Sequence, residues 1–254
     1  MPDDLPLLEP FADEKAIIEP SEVVSRADVP DRAVICFYDS VIKKVIAAGP
    51  HKEFEPIRTA MGILPVYEIE RNSERLLVFQ PGIGAPLVVA VTEEIIARGC
   101  RKLIALGGAG VLDRALIHGH LVVPTAAIRD EGTSFHYAPA SREIAPSEAA
   151  LAAIQSVLCD ADVPFTLGKT WTTDAFYRET PSRIARRKAE GCLTVEMEAA
   201  ALFALARFRG VILAQMLFCC DDVSGDRWDD RAAQPRAVTL EAAFELAAEA
   251  CMRL

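Results

Sequence analysis

Positive charge is scarce in this chain. Its 27 Lys and Arg face 37 Asp and Glu, a net charge of −10 over 254 residues. That balance argues against a nucleic-acid backbone or an anionic membrane surface as partner. Aromatic residues make up only 7%, so the core must be aliphatic, which favours layered α/β packing over an all-β sandwich. No apolar run reaches the roughly 20 residues that a bilayer span requires. The N-terminus, Met1-Pro2-Asp3-Asp4, has neither a basic segment nor the apolar core of an export signal. Seven cysteines (Cys36, Cys100, Cys159, Cys192, Cys219, Cys220, Cys251) form no C-x-x-C pair and are odd in number. They indicate neither a disulfide framework nor a zinc site, and reduced thiols in a cytoplasmic protein are expected. Histidines are few as well. His118 and His120 would project to one side of a strand, but His51 and His136 offer no spacing that completes a metal site, and none is expected.

What is present alternates between strand and helix. Residues 1–30, rich in Pro, Asp and Glu, read as an irregular surface extension, and 31–254 as a single domain. Ala33 to Phe37 suits a buried strand, followed by an amphipathic stretch to Ala48. Pro65 to Glu70 and Arg75 to Phe79 read as strands joined by the polar turn Arg71-Asn72-Ser73-Glu74. Pro86 opens a helix through Arg98. Lys102 to Leu106 is a strand running into a Gly107-Gly108-Ala109-Gly110 turn, and Leu121 to Pro124 is another strand. Ser147 caps a helix to Leu158, and Phe165 to Thr170 is a strand. Helices follow at Pro181 to Glu190, Glu198 to Arg207 and Leu240 to Met252. The expected fold is α/β, a three-layer αβα sandwich around a central mixed, twisted sheet, with ligands taken at the strand ends.

The residues that promise chemistry begin with Thr194-Val195-Glu196-Met197-Glu198-Ala199-Ala200. Two carboxylates around a methionine at a strand-to-helix junction suit a diol, such as the 2′ and 3′ hydroxyls of a ribose. Taken alone, either glutamate could be an ordinary surface carboxylate. Asp221 follows the next apolar run, Val211 to Phe218, which places an acid at a strand end on the same sheet edge. Pro81-Gly82-Ile83-Gly84-Ala85-Pro86 lies between a strand and a helix. Its amides could face an anion or a hydroxyl, or could simply make a tight turn. It lacks the third glycine of a dinucleotide fingerprint and the Lys-Ser/Thr of a P-loop. The acidic run Gly225 to Asp230 reads as a solvated loop, with Trp228 as a possible lid.

Four ordered motifs carry a family resemblance: Gly82-Ile83-Gly84-Ala85-Pro86, Leu106-Gly107-Gly108-Ala109-Gly110, Thr173-Asp174-Ala175-Phe176-Tyr177 and Val195-Glu196-Met197-Glu198-Ala199-Ala200. From Val34 onward the chain resembles the nucleoside phosphorylase superfamily of uridine phosphorylase, hexameric purine nucleoside phosphorylase and the nucleosidases. Arg129 to Pro139 looks most like the uridine phosphorylase branch. The resemblance implies an αβα fold in dimers or trimers of dimers, a small-molecule nucleoside as partner, and no cofactor beyond inorganic phosphate as a possible co-substrate. It implies that Glu196, Met197 and Glu198 hold the ribose, and that Phe176, Val195, Ala109 and Gly110 surround the base. Gly82, Gly84, Gly107 and Gly108 would border the phosphate or water. In the purine branch an acid 23 residues after the second glutamate protonates the leaving base, and that place is Asp221. The glutamine and arginine that read uracil in the uridine branch are replaced by Thr180 and Ser182, which favours a purine.

The phosphate ligands depart from the family pattern. Where phosphorylases carry Gly-Asp-Pro, this chain reads Cys36-Phe37-Tyr38-Asp39-Ser40-Val41. Ala105 stands where the second arginine is expected, and Gly108 replaces a Ser or Thr. Arg129 and Arg178 are candidates to substitute, and Asp39 lies near where nucleosidases place a water-activating base. The expectation is a phosphorylase releasing free base and ribose 1-phosphate. A nucleosidase using water and a non-catalytic nucleoside-binding protein are the alternatives.

Overall fold

The computed structural model describes residues 5–9 and 14–254, so the expectation for Met1 to Asp4 lies outside the described residues. Its architecture follows from the first apolar run. Ala33, Val34, Ile35 and Cys36 are all buried, and a strand covered on both faces belongs to a parallel sheet between helical layers. This strand, β1 (Arg32–Cys36), pairs in parallel with β4 (Glu74–Phe79) and with β5 (Lys102–Val111). Because side chains alternate across a strand, Ala33 and Ile35 pack toward helices α3 (Ala85–Arg98) and α6 (Ala199–Arg209). Val34 and Cys36 pack toward α2 (Asp39–Ala48), α4 (Glu148–Asp160) and α7 (Leu240–Met252). The result is the three-layer αβα arrangement expected from the sequence.

The remaining strands are β2 (His51–Thr59), β3 (Gly62–Arg71), β6 (Leu121–Asp130), β7 (Glu143–Ile144), β8 (Phe165–Thr173), β9 (Cys192–Glu196) and β10 (Ile212–Asp222). They run in the order β10-β6-β8-β9-β5-β1-β4-β3-β2, with β7 on β6. β10 also pairs in parallel with β5, so β5, β10, β6, β8 and β9 close into a five-stranded ring at one end of the mixed sheet. Helices α1 (Pro20–Val23) and α5 (Pro181–Ala189) complete the set. Among the described residues no helix is long and apolar enough to cross a membrane.

Local chemistry fixes the joints. Asn72 and Ser73, with φ of 51° and 64°, make the two-residue hairpin turn between β3 and β4. Thr239 Oγ1 accepts the Ala242 N–H and caps α7. Ser147 differs from expectation: its hydroxyl accepts from Leu213 N–H, tying the start of α4 to β10 instead of capping its own helix. The expected Gly107–Gly110 turn is the end of strand β5. β6 continues past Pro124 through a register irregularity that absorbs the missing N–H. The part of 1–30 within the described residues holds a 3₁₀ turn (Pro6–Leu8) and α1, and is anchored. Ala27 N–H donates to Arg98 O at 3.0 Å, and Glu19 pairs with Arg209 at 3.2 Å.

The loop after β10 is fixed at its base by Asp222. One oxygen accepts from Arg231 at 3.0 Å and the other from Ser224 N–H at 2.8 Å. Asp222 and Asp229 also exchange backbone hydrogen bonds. Burial pushes the Asp222 carboxyl up, but the Ser224 and Arg231 bonds outweigh it and hold the group below its ordinary range. Both side chains of the Asp222–Arg231 pair are 3% exposed. Asp222→Ala would leave a buried guanidinium uncompensated, so it is expected to lower unfolding free energy by about 3 kcal/mol in urea titrations.

Candidate active site

β9 runs antiparallel to β5, so no common sheet edge brings the acidic motif to the glycines. The ring closure does so: Val195 pairs with Gly110 and Thr194 with Val111, while Cys219 of β10 pairs with Ala109. The ends of β5, β9 and β10 thereby surround a cavity of about 840 Å³, within the range of small-molecule sites. Of the expected residues, Gly108, Ala109, Gly110, Phe176, Val195, Glu196, Met197 and Asp221 line it. Gly82, Gly84, Gly107 and Glu198 do not. Tyr177, Glu179, Cys220 and Trp228 also contribute to its walls.

The start of α6 organises the acidic motif. Glu196 Oε2 accepts the backbone N–H of both Glu198 and Ala199 at 2.7 Å, and Oε1 accepts the Thr172 hydroxyl at 2.6 Å. Thr172 Oγ1 in turn accepts the Ala200 N–H at 3.0 Å. Glu196 is therefore a helix cap, and its oxygens are engaged before any sugar arrives. Glu198 Oε1 accepts the Gly84 N–H at 2.7 Å, so the amide expected to meet an anion is held by protein. Burial pushes both glutamates upward. For Glu196 the Glu198 charge adds to burial, while the Thr172, Ala199 and Glu198 donors oppose it. For Glu198 the Gly84 and Met197 amides oppose burial.

Small residues make room. A Cβ on Gly110 would lie 3.2 Å from Val195 Cγ1 and 3.4 Å from Asp221 Oδ1. A Cβ on Gly108 would lie 2.8 Å from Tyr38 Oη and 2.9 Å from Cys220 Sγ. Tyr38 and Cys220, 3.5 Å apart, thus occupy the space of a side chain at that position. Gly107 packs against Gln215 and Phe37.

Asp221 is half-buried, and its Oδ2 accepts the indole N–H of Trp228 at 2.7 Å. Phe176 and Tyr177 stack with ring centroids 4.0 Å apart. Among the described residues the charged side chains that line the cavity are Glu179, Glu196 and Asp221; no Lys, Arg or His does. Glu179 was not apparent in the sequence, because a single glutamate between two motifs carries no local signal. Thr172 was equally silent.

Other candidates are placed elsewhere. Arg129 is buried, donating to Ser134, Pro139, Ala138 and Ser141 with Phe135 4.2 Å from its guanidinium. Arg178 is exposed. Asp39 begins α2 and pairs with Lys43 at 2.6 Å. His118 and His120 lie in the turn before β6 instead of on a strand, bonded to Arg231 O and Thr166 Oγ1. Among the described residues no cluster of three His, Cys, Asp or Glu could hold a metal ion.

The chain also resembles known proteins. A family model described as the phosphorylase superfamily matches residues 31–253. A guanosine phosphorylase of Halorubrum lacusprofundi is 32% identical over 136 residues, 54% of this chain and 56% of that protein. A uridine phosphorylase of Treponema pallidum is 34% identical over 145 residues, 53% of this chain and 56% of its own. The chain thus spans a little over half the length of these relatives. The crystal structure of an AMP nucleosidase from Bacteroides thetaiotaomicron superimposes with a TM-score of 0.71 at 20% identity, over 89% of each chain, which is a likeness of fold.

The two glutamates should separate in stability measurements. Glu196→Ala removes an acceptor from two helix-start amides and a threonine, and is expected to cost about 2 kcal/mol. Glu198→Ala deletes one hydrogen bond and should cost under about 1 kcal/mol; equal losses in urea unfolding would contradict the capping role.

Proposed function

The chain belongs to the phosphorylase superfamily, and on that footing we propose that it cleaves the N-glycosidic bond of a nucleoside, by preference a purine nucleoside, with water as the nucleophile. One observation carries the choice of nucleophile: among the described residues the cavity is lined by three carboxyl groups and no cationic side chain. A phosphate dianion needs charge-assisted donors, and beside Glu196 and Asp221 it would meet repulsion in a site of reduced dielectric. Tyr38 and Cys220 fill the space above Gly108, and Arg129 is held by its own loop. Water carries no charge and suffers none of this.

Glu198 serves the sugar in this reading. Its Oε1 is anchored on Gly84; Oε2 is the atom this reading assigns to the ribose diol, although Glu198 itself does not line the cavity. A carboxylate at that place also stabilises the positive charge that develops on the ribosyl ring as the bond to the base stretches. Phe176, half exposed at 50%, offers a face for the base. Ala109 and Gly110 leave it room, and Val195 flanks it. In this reading Asp221 takes part in neutralising the leaving purine, whereas Thr180 and Ser182 offer no amide or guanidinium for uracil.

Phosphorolysis is the second reading, favoured by kinship with guanosine and uridine phosphorylases. Chromatographic detection of free base with and without phosphate decides between the two. Base release in phosphate-free buffer is expected, and strict phosphate dependence would reverse the choice of nucleophile. Tight nucleoside binding with no product would point to a binding protein. Asp221→Asn should lower the rate of purine release at neutral pH by about 10²; unchanged turnover there would remove Asp221 from the mechanism.

A further inference from the structure

We infer that Glu179 is a second catalytic carboxyl of this cavity, sharing one proton with Asp221 and delivering it to the base nitrogen as the glycosidic bond breaks. The inference rests on the N-glycosidic reading above and concerns which group carries the proton.

Three observations carry it. Glu179 follows the turn Phe176–Arg178, immediately before α5, and lines the same cavity as Asp221. Every other glutamate or aspartate of the site has a partner: Glu196 caps α6, Glu198 holds Gly84, and Asp221 holds Trp228. Among the described residues the Glu179 carboxyl alone of these has no hydrogen bond and no ion pair, although it is half-buried. A carboxyl left unpartnered in such a place is available to a ligand. Finally, Asp221 Oδ2 is taken up by the indole N–H, which leaves the Glu179 carboxyl as the member of the pair free to meet a ligand. Two carboxyl groups in one cavity resist ionising together.

The surroundings agree. Burial first, and then the charge of Asp221, push Glu179 up to about 7. Among the described residues the titratable groups that share the cavity with it are Asp221 and Cys220 from β10, Glu196 from β9, and Tyr177 from its own turn, and no cation lines that cavity; the exposed Arg178 is its neighbour in the chain. In the step itself, the electron pair of the C1′–N bond passes to the base. The Glu179 O–H proton transfers to a base nitrogen and leaves Glu179 as carboxylate. The oxygen of water bonds to C1′ and loses a proton, which restores Glu179. Since the acid must be protonated to act, turnover falls as pH rises through about 7.

The test compares inosine with 7-methylguanosine, whose cationic base departs without receiving a proton. Glu179→Gln is expected to lose about 10² in kcat on inosine with little change in KM, and to keep 7-methylguanosine turnover within about threefold. The wild-type inosine rate should decline above neutral pH while the 7-methylguanosine rate stays level. In Asp221→Asn the inosine rate should recover at lower pH, because only the charge that holds the proton on Glu179 is gone. Wild-type inosine turnover in Glu179→Gln would overturn the inference. So would equal loss on both nucleosides, which marks a structural role. Absence of base release from either nucleoside by the wild-type protein would overturn the N-glycosidic reading itself, and this one with it.

Discussion

The N-terminus of α6 is the point on which the site depends. Eight residues of this alanine-rich helix, from Ala199 to Ala206, are buried, so its first amides have no water to turn to. Unsatisfied, each would cost on the order of 1–3 kcal/mol. Glu196 meets the need from the last position of β9, and Thr172 from the neighbouring strand β8. Two strands and a helix are thereby locked in one register. The arrangement also explains a buried carboxyl in a mostly aliphatic core: its oxygens are fully used, and the positive end of the helix lies against them. Glu198 extends the same logic across the cleft, since its bond to Gly84 ties α6 to the turn that opens α3.

A second constraint is the ring of strands. In an open sheet β9 would lie far from β10, and Glu196 would have no reason to share a cavity with Asp221. Pairing β10 with both β5 and β6 bends the sheet until it closes. The crowding this produces is relieved by glycine. Gly107 and Gly108 allow Gln215, Phe37, Tyr38 and Cys220 to press against β5. Gly110 keeps Val195 and Asp221 apart by no more than a side chain's width. These glycines act by being small, not by turning the chain.

That distinction marks how far the sequence could be read. Where a local rule decides the structure, the reading and the fold coincide: the apolar run of β1, the Asn72-Ser73 turn, the proline at the start of α3. The strand-to-helix junction at Glu196 and the place of Asp221 beside the same cavity were legible because a motif repeats a known spacing. Where the decision is made by distant partners, the sequence was silent. Gly107 to Gly110 has the composition of a turn, yet neighbours on both sides hold it extended. The polar β2 is a strand only because β3 pairs with it through most of its length. Ser147 prefers a distant amide to its own helix. Glu179 and Thr172 have no local signature at all, since their significance lies in what the ring closure places beside them.

Charge then decides what the cavity can admit. A chain of net −10 could still build a local cationic pocket, but among the described residues no cation lines this cavity. Two of the chain's arginines are spent on structure: Arg129 on the Ser134–Ser141 loop, Arg231 on Asp222. An anionic lining repels an anionic co-substrate and also any second negative charge of its own. On the reading proposed above, the electrostatics that disfavour phosphate would also hold a proton among the carboxyls. Water, a neutral nucleophile, would be indifferent to that lining.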